Sequence, residues 1–300
     1  MDMGVSESSQ LVFPVDGVMQ KTWDDAVARW LIEKADKASL KSDQCIIRWL
    51  DRYLSGLPIV DITRPVVDSL AHKKIASGVA NGTVNRMLAL LRSILIRASV
   101  DWEWLPVVPK VRLLREPVRR VRYLTKVQAE SLLLQLPSHL AEMTAFSLAT
   151  GLRKSNVTGL CWSQVDLGRR LAWIHPDQSK TRKAIAVPLN IDALRVVSLQ
   201  VGKHPVRVFS YKGEPVAQVT TAAWYKALKR CGIENFRWHD LRHTWASWHV
   251  QNGTPLNVLQ ELGGWESAQM VRRYAHFSVS HLAVYAEALP NLVTKEFTRK

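Results

Sequence analysis

Cysteine is scarce in this chain of 300 residues. Cys45, Cys161 and Cys231 stand far apart, odd in number and without a CxxC pair, which argues against a disulfide framework or a thiolate zinc knuckle. No apolar run approaches the ~20 residues that a membrane-spanning helix needs. The opening MDMGVSESSQ carries acidic and polar residues where a secretory leader needs positive charge followed by an apolar stretch. Internal repeats, low-complexity tracts and the zinc-protease pattern HExxH are missing as well. A cytoplasmic protein without a membrane partner is the expectation.

Acids are the other shortage. Lys and Arg number 41 against 26 Asp and Glu, a net charge of +15 with a pI near 10.0. Hydrophobic residues at 47% and charged residues at 22% fit a globular protein rather than a disordered one. Such a positive excess favours a polyanionic partner, because each neutralised phosphate releases condensed counterions.

The pattern along the chain divides it into five stretches. Residues 1–21 lack helical periodicity and read as a loose N-terminal arm. Residues 22–105 read as four helices. Thr22 caps the first, with Asp24 and Asp25 in its opening turn. The second carries Cys45, Ile46, Trp49, Leu50 and Tyr53, and Thr63 with Pro65 opens the third. The fourth repeats Val84, Met87, Leu88, Leu91, Ile94, Leu95 and Ala98 at three- and four-residue steps. Its other face holds Arg86, Arg92 and Arg97, which suits either solvent or phosphate. Residues 106–122, PVVPKVRLLREPVRRVR, break the periodicity as a proline-rich, basic connector. Lys110, Arg119, Arg120 and Arg122 make it a candidate strap along DNA, with a plain interdomain linker as the alternative.

A mixed domain spans 123–289, ahead of a tail over 290–300. Its helices are expected at Thr125 to Leu136, Leu140 to Thr150, Thr221 to Cys231, Trp238 to Asn252, Pro255 to Leu262 and Ala268 to about Ala275. Its strands are expected at Leu171 to Ile174, Ala184 to Val187 and Val206 to Phe209, the first two joined by a basic turn from Asp177 to Arg182.

Four features of this domain can carry chemistry. Gly151 ends one helix, so Arg153 starts the next, where a guanidinium can hold two phosphate oxygens. His239 and Arg242 are three apart and share a helix face, setting a proton-transfer group beside a permanent cation. His243 lies four from His239, which raises a zinc pair; no third ligand sits nearby in sequence, so no metal is expected. Leu262-Gly263-Gly264-Trp265 precedes Tyr274 by a nine-residue step from the tryptophan. Taken singly, each has an ordinary explanation as a surface arginine, a polar helix face, a core tryptophan or a packing tyrosine.

Taken in order they are more specific. Arg153, a Ser-Lys-Thr turn bearing Lys180, His239-x-x-Arg242, Leu-Gly-Gly-Trp265 and Tyr274 together resemble the tyrosine recombinases of the phage integrase type. Asn81-Gly82-Thr83-Val84-Asn85-Arg86 resembles the family's core-binding domain. The resemblance implies a mainly α fold with a small antiparallel β-sheet. An N-terminal helical core-binding (SAM-like) domain would precede an α+β tyrosine recombinase catalytic domain, the two forming a clamp on DNA. The activity implied is site-specific recombination through a 3′-phosphotyrosyl intermediate, integrating or excising a mobile element or prophage, with no cofactor.

In that chemistry Tyr274 is the covalent nucleophile, and Arg153 with Arg242 replaces metal ions in holding the nonbridging oxygens. His239 assists Tyr274 as base and then acid. Lys180 protonates the departing 5′ oxygen, with Lys183 as a competitor for that role. Trp265 stands where many members have histidine, and its indole donates a hydrogen bond but does not titrate. The partners implied are double-stranded recombination sites, three further copies of the chain in a tetramer and a DNA-bending accessory protein, in a nucleoid-associated setting. The tail after Pro290 is a candidate for docking on a neighbour. A non-catalytic DNA-binding regulator, a type I topoisomerase and an inactive prophage relic are the rival readings.

Overall fold

In the structure, a computed structural model, residues 20–117, 121–179 and 182–277 are described. The chain divides into two compact units that part near residue 118. No described helix is long and apolar enough to cross a membrane.

The first unit holds helices α1 (Trp23–Glu33), α2 (Leu40–Leu54), α3 (Arg64–Ala76) and α4 (Asn81–Val100). Thr22 and Asp25 form a capping box at the start of α1, each side chain bonding the other's backbone N–H. Thr63 precedes α3 with proline in the first turn. The periodic stripe of α4 packs against Trp23, Trp30, Leu50 and Leu54, all buried.

On α2 the buried face is Ile47, Leu50 and Leu54, while Cys45 and Tyr53 of the expected stripe are exposed. Trp49 and Tyr53 lie 5.0 Å apart instead, with Lys74 over the indole at 4.3 Å and Lys73 over the phenol at 4.4 Å. The two rings carry a cation–π patch, with Trp49 also packing on the edge of the core, because the apolar stripe of α2 is wider than one packing face.

The beginning of the connector is anchored rather than free. Residues 106–117 form no helix or strand, yet Val108, Val111 and Leu114 pack on the helical core. Asn85 clamps Leu114 in both directions, its amide donating to the carbonyl at 2.9 Å and its oxygen accepting from the N–H at 2.8 Å. Asn81 holds the Arg115 carbonyl at 2.8 Å.

The second unit is built around α6 (Ser138–Thr150), whose Leu140, Met143 and Phe146 are buried, preceded by α5 (Lys126–Gln135). After α7 (Lys154–Thr158) come β1 (Val165–Asp166), β2 (Leu171–Ile174) and β3 (Ile185–Pro188). They form an antiparallel sheet in that order, with Leu171 opposite Pro188 and Ile174 opposite Ile185. α8 (Ile191–Ser198), capped by Asn190, covers α6. A small hairpin, β4 (Ser210–Tyr211) and β5 (Glu214–Pro215), leads to α9 (Ala222–Arg230), α10 (Asp240–Gln251), α11 (Leu256–Gly263) and α12 (Ala268–Arg272).

The strand expected over Val206 to Phe209 is replaced by a single bridge between Cys161 and Arg207, and strand β4 begins only at Ser210. The His204 ring accepts the N–H groups of both Val206 and Arg207, at 3.0 and 2.9 Å. Those two donors are thereby lost to any strand ladder.

Candidate active site

Most of the candidate site comes from α10 and the turns that close on it. Helix α6 stops at Gly151, whose φ of +64° favours glycine. A Cβ there would lie 2.2 Å from the Trp245 ring, so the turn sits directly on α10. Arg153 follows at the cap of α7, half-buried, and its pKa is lowered by desolvation.

Arg242 is 5% exposed. Its guanidinium donates to the Gly151 carbonyl at 2.7 Å and to the Gly263 carbonyl, and it lies 4.2 Å from the centre of the Trp265 ring. These contacts use two of its five N–H donors. Burial, and then the nearby positive charge of Arg153, pull its pKa down to about 9. Among the described residues no carboxylate pairs with Arg153 or Arg242. Two neighbouring cations, one of them buried and neither neutralised, make a site that is completed by an anion.

Tyr274 follows α12 and is 1% exposed. Its hydroxyl lies 2.6 Å from Nδ1 of His243. Burial pushes the phenol up to about 12, opposed by Arg242 and Arg273. Burial, and then His239, pulls the His243 imidazole down to about 4. Both groups are therefore neutral near pH 7, and the phenol, the stronger acid of the two neutral groups, donates to the ring nitrogen.

The partner expected for Tyr274 was His239. That residue instead stands exposed at the N-terminus of α10, its ring meeting His243 edge-on at 5.1 Å. Desolvation and then Arg242 lower its pKa. The histidine that meets the phenol thus lies one helical turn on from the one expected to assist it. The spacing His239-x-x-x-His243 suggests a zinc pair, but it also sets a residue one turn on from the cap facing the same cleft. Asp240, 1% exposed, pairs with Arg237 at 3.0 Å and steadies the start of the helix.

Trp265 is half-buried and serves as a platform. Its ring lies 6.0 Å from Trp245 at 29° and 5.9 Å from Tyr274. A Cβ at Gly263 would fall 2.0 Å from the indole, and Gly264 has a φ of +59°, so both glycines are needed to fold the ring back onto Arg242.

Lys180 lies outside the described residues. The chain just before it is tied down, since Asn156 donates to the Gln178 carbonyl at 2.9 Å and Gln164 to the Gln178 side chain at 2.7 Å. Lys183, its competitor, is exposed and lines an open cleft of about 530 Å³ together with Ile185, Gln260, Gly264 and Trp265.

The candidate DNA contacts Arg86, Arg92 and Lys110 are exposed in the first unit, and Arg122 is exposed at the start of the second. Arg119 and Arg120 lie outside the described residues, as does the tail. Among the described residues no group of three or more His, Cys, Asp or Glu side chains is arranged to hold a metal ion.

Residues 122–281 match the model of the phage integrase family. The integrase of Salmonella phage P22 is 38% identical over 311 residues, covering 90% of this chain and 80% of the relative. Among solved structures, the Tn1549 transposon integrase in complex with a circular intermediate DNA aligns with a TM-score of 0.76 at 18% identity, over 88% of this chain and 98% of that one. A lambda integrase dimer bound to a core site aligns with a TM-score of 0.70 at 20% identity, over 83% and 97%. With a mainly helical fold, a small antiparallel sheet and this ordered set of residues, the chain belongs to the phage integrase family of tyrosine site-specific recombinases.

Proposed function

We propose that Tyr274 is the nucleophile with which this recombinase cuts DNA, and that Arg153 and Arg242 form the clamp for the scissile phosphate. The observation that carries the reading is the pair of unneutralised arginines, of which Arg242 is nearly inaccessible to water and acts on the phenol. A phosphodiester entering this site supplies the missing negative charge. As charge builds on its nonbridging oxygens, the fixed guanidinium donors stabilise the transition state more than the ground state.

Tyr274 attacks phosphorus, the 5′ oxygen departs, and the 3′-phosphotyrosyl bond conserves the energy needed for rejoining. The 5′ oxygen receives its proton from the β2–β3 hairpin, from Lys180 or its competitor Lys183. The Trp265 indole N–H donates to a phosphate oxygen while its ring face supports Arg242. His239, exposed beside both arginines, completes the phosphate-binding edge.

The substrate is a double-stranded recombination site on a mobile element or prophage. Exchange runs in a homotetramer, aided at some sites by a bending protein. Arg86, Arg92, Lys110, Arg119, Arg120 and Arg122 supply sequence-independent phosphate contacts. The setting is the bacterial cytoplasm.

The clamp is tested by Arg153→Ala and Arg242→Ala on a nicked DNA carrying the recombination site. Each is expected to lower covalent adduct formation by roughly 10²–10³-fold while site binding persists. Near-normal adduct formation by either variant would remove that arginine from the clamp. Relaxation of supercoiled plasmids regardless of sequence would favour a topoisomerase; relaxation confined to plasmids bearing the site is expected.

A further inference from the structure

The tyrosine's proton must leave before or as its oxygen bonds to phosphorus, and the residues assigned so far do not take it. We propose that His243 is the general base for Tyr274, its Nδ1 receiving the phenolic proton as Oη closes on the phosphate. The inference rests on Tyr274 being the nucleophile, and it adds a catalytic residue to the set.

The geometry is direct. Nδ1 lies 2.6 Å from Oη, within the range in which a base takes a proton without rearrangement. The imidazole is half-buried on α10, next in sequence to Arg242 and one turn from His239, whose ring packs edge-on against it. The groups acting on it from outside are Arg237 before the helix and Arg273 beside the tyrosine, both opposing its protonation. Asp240 favours it. His243 is therefore held neutral and ready to accept. A bound phosphate, whose negative charge grows toward the transition state, offsets those cations and raises the basicity of the ring when it is needed.

The step balances. As the Oη–P bond forms, the Oη–H proton passes to Nδ1 and the P–O5′ bond breaks. Its electron pair leaves on O5′, which takes a proton from the hairpin lysine. In rejoining, a 5′-hydroxyl attacks phosphorus and returns its proton to the now neutral hairpin lysine, the P–Oη bond breaks, and the imidazolium returns its proton to Oη.

His243→Asn places an amide oxygen near the position of Nδ1 and keeps an acceptor that does not take up a proton. With site binding intact, it is expected to slow adduct formation about 10²-fold. A fluorinated tyrosine installed at position 274 has a more acidic phenol that depends less on a base. With it, the His243→Asn defect is expected to shrink to several-fold. A His243→Asn protein with the wild-type rate would overturn the proposal, and so would a defect of equal size with tyrosine and fluorotyrosine, since that marks a packing role. Tyr274→Phe, run alongside, separates the two levels: an adduct formed without the hydroxyl removes the nucleophile assignment itself. Its absence, with normal His243→Asn, removes only the base.

Discussion

At the scale of single residues, the half-buried imidazole of His243 has a consequence for stability. The His243 pKa falls from its ordinary 6.5 to about 4 in the native protein, and His239, His249 and His139 are lowered in the same direction. Between those values the unfolded chain binds more protons than the folded one, so stability is complete above about pH 6.5 and is lost as pH falls toward 4. Urea midpoints measured at pH 7.5 and 4.5 should differ in that sense, and His243→Asn should narrow the difference; equal midpoints would contradict it. Trp265 offers a second residue-level prediction. Trp265→Phe retains the ring face under Arg242 but loses the N–H. It should keep the thermal midpoint and lower adduct formation about tenfold, the worth of roughly one net hydrogen bond. Trp265→Ala should also lower the midpoint. Most members of the cluster were legible from order and spacing, because Arg153, His239, Arg242, Trp265 and Tyr274 recur in a recognisable sequence. The pairing within the cluster was not. Which histidine meets Tyr274 depends on how the turn after α12 closes on α10, and one helical turn of difference leaves no mark in residue spacing.

At the scale of elements, the turns fix the site more strictly than the helices do. Gly151→Ala sets a methyl group 2.2 Å from the Trp245 ring in a backbone with positive φ. It should destabilise the second unit by several kcal/mol, as overpacking and strain act together. Gly263→Ala drives into the Trp265 ring, and the expected result is a folded protein whose adduct formation falls because Arg242 loses its platform. Thermal melts and adduct assays on the two variants check this; wild-type behaviour in both would show that the turns are soft. The same contrast governs what could be read beforehand. α4 was legible from its long apolar repeat, and α6 from its apolar positions together with the glycine that ends it. The β2–β3 hairpin was legible from two short apolar runs around a polar turn. α8, capped by Asn190, was missed because its eight residues follow β3 with only a two-residue break. The strand expected at Val206 failed because a histidine side chain, invisible to any periodicity, accepts the backbone donors a ladder would use.

At the scale of the whole molecule, the charge of +15 and the pair of unneutralised arginines describe a protein made to hold a polyanion. Site affinity should fall steeply and log-linearly with salt. Arg86→Ala and Arg92→Ala should each flatten the slope by about 0.9, which a salt titration of site binding measures; an unchanged slope would remove that arginine from the phosphate contacts. Cleavage should proceed at an undiminished rate in excess chelator, since the proposed clamp puts cationic side chains in the role that metal ions take in many nucleases. The central claim is that one phenol does the cutting, and the most direct measurement of it is the covalent adduct on nicked site DNA, resolved on a denaturing gel. The account predicts a phosphotyrosine-linked adduct at position 274 in the native protein and none in Tyr274→Phe. An adduct formed by Tyr274→Phe would contradict it.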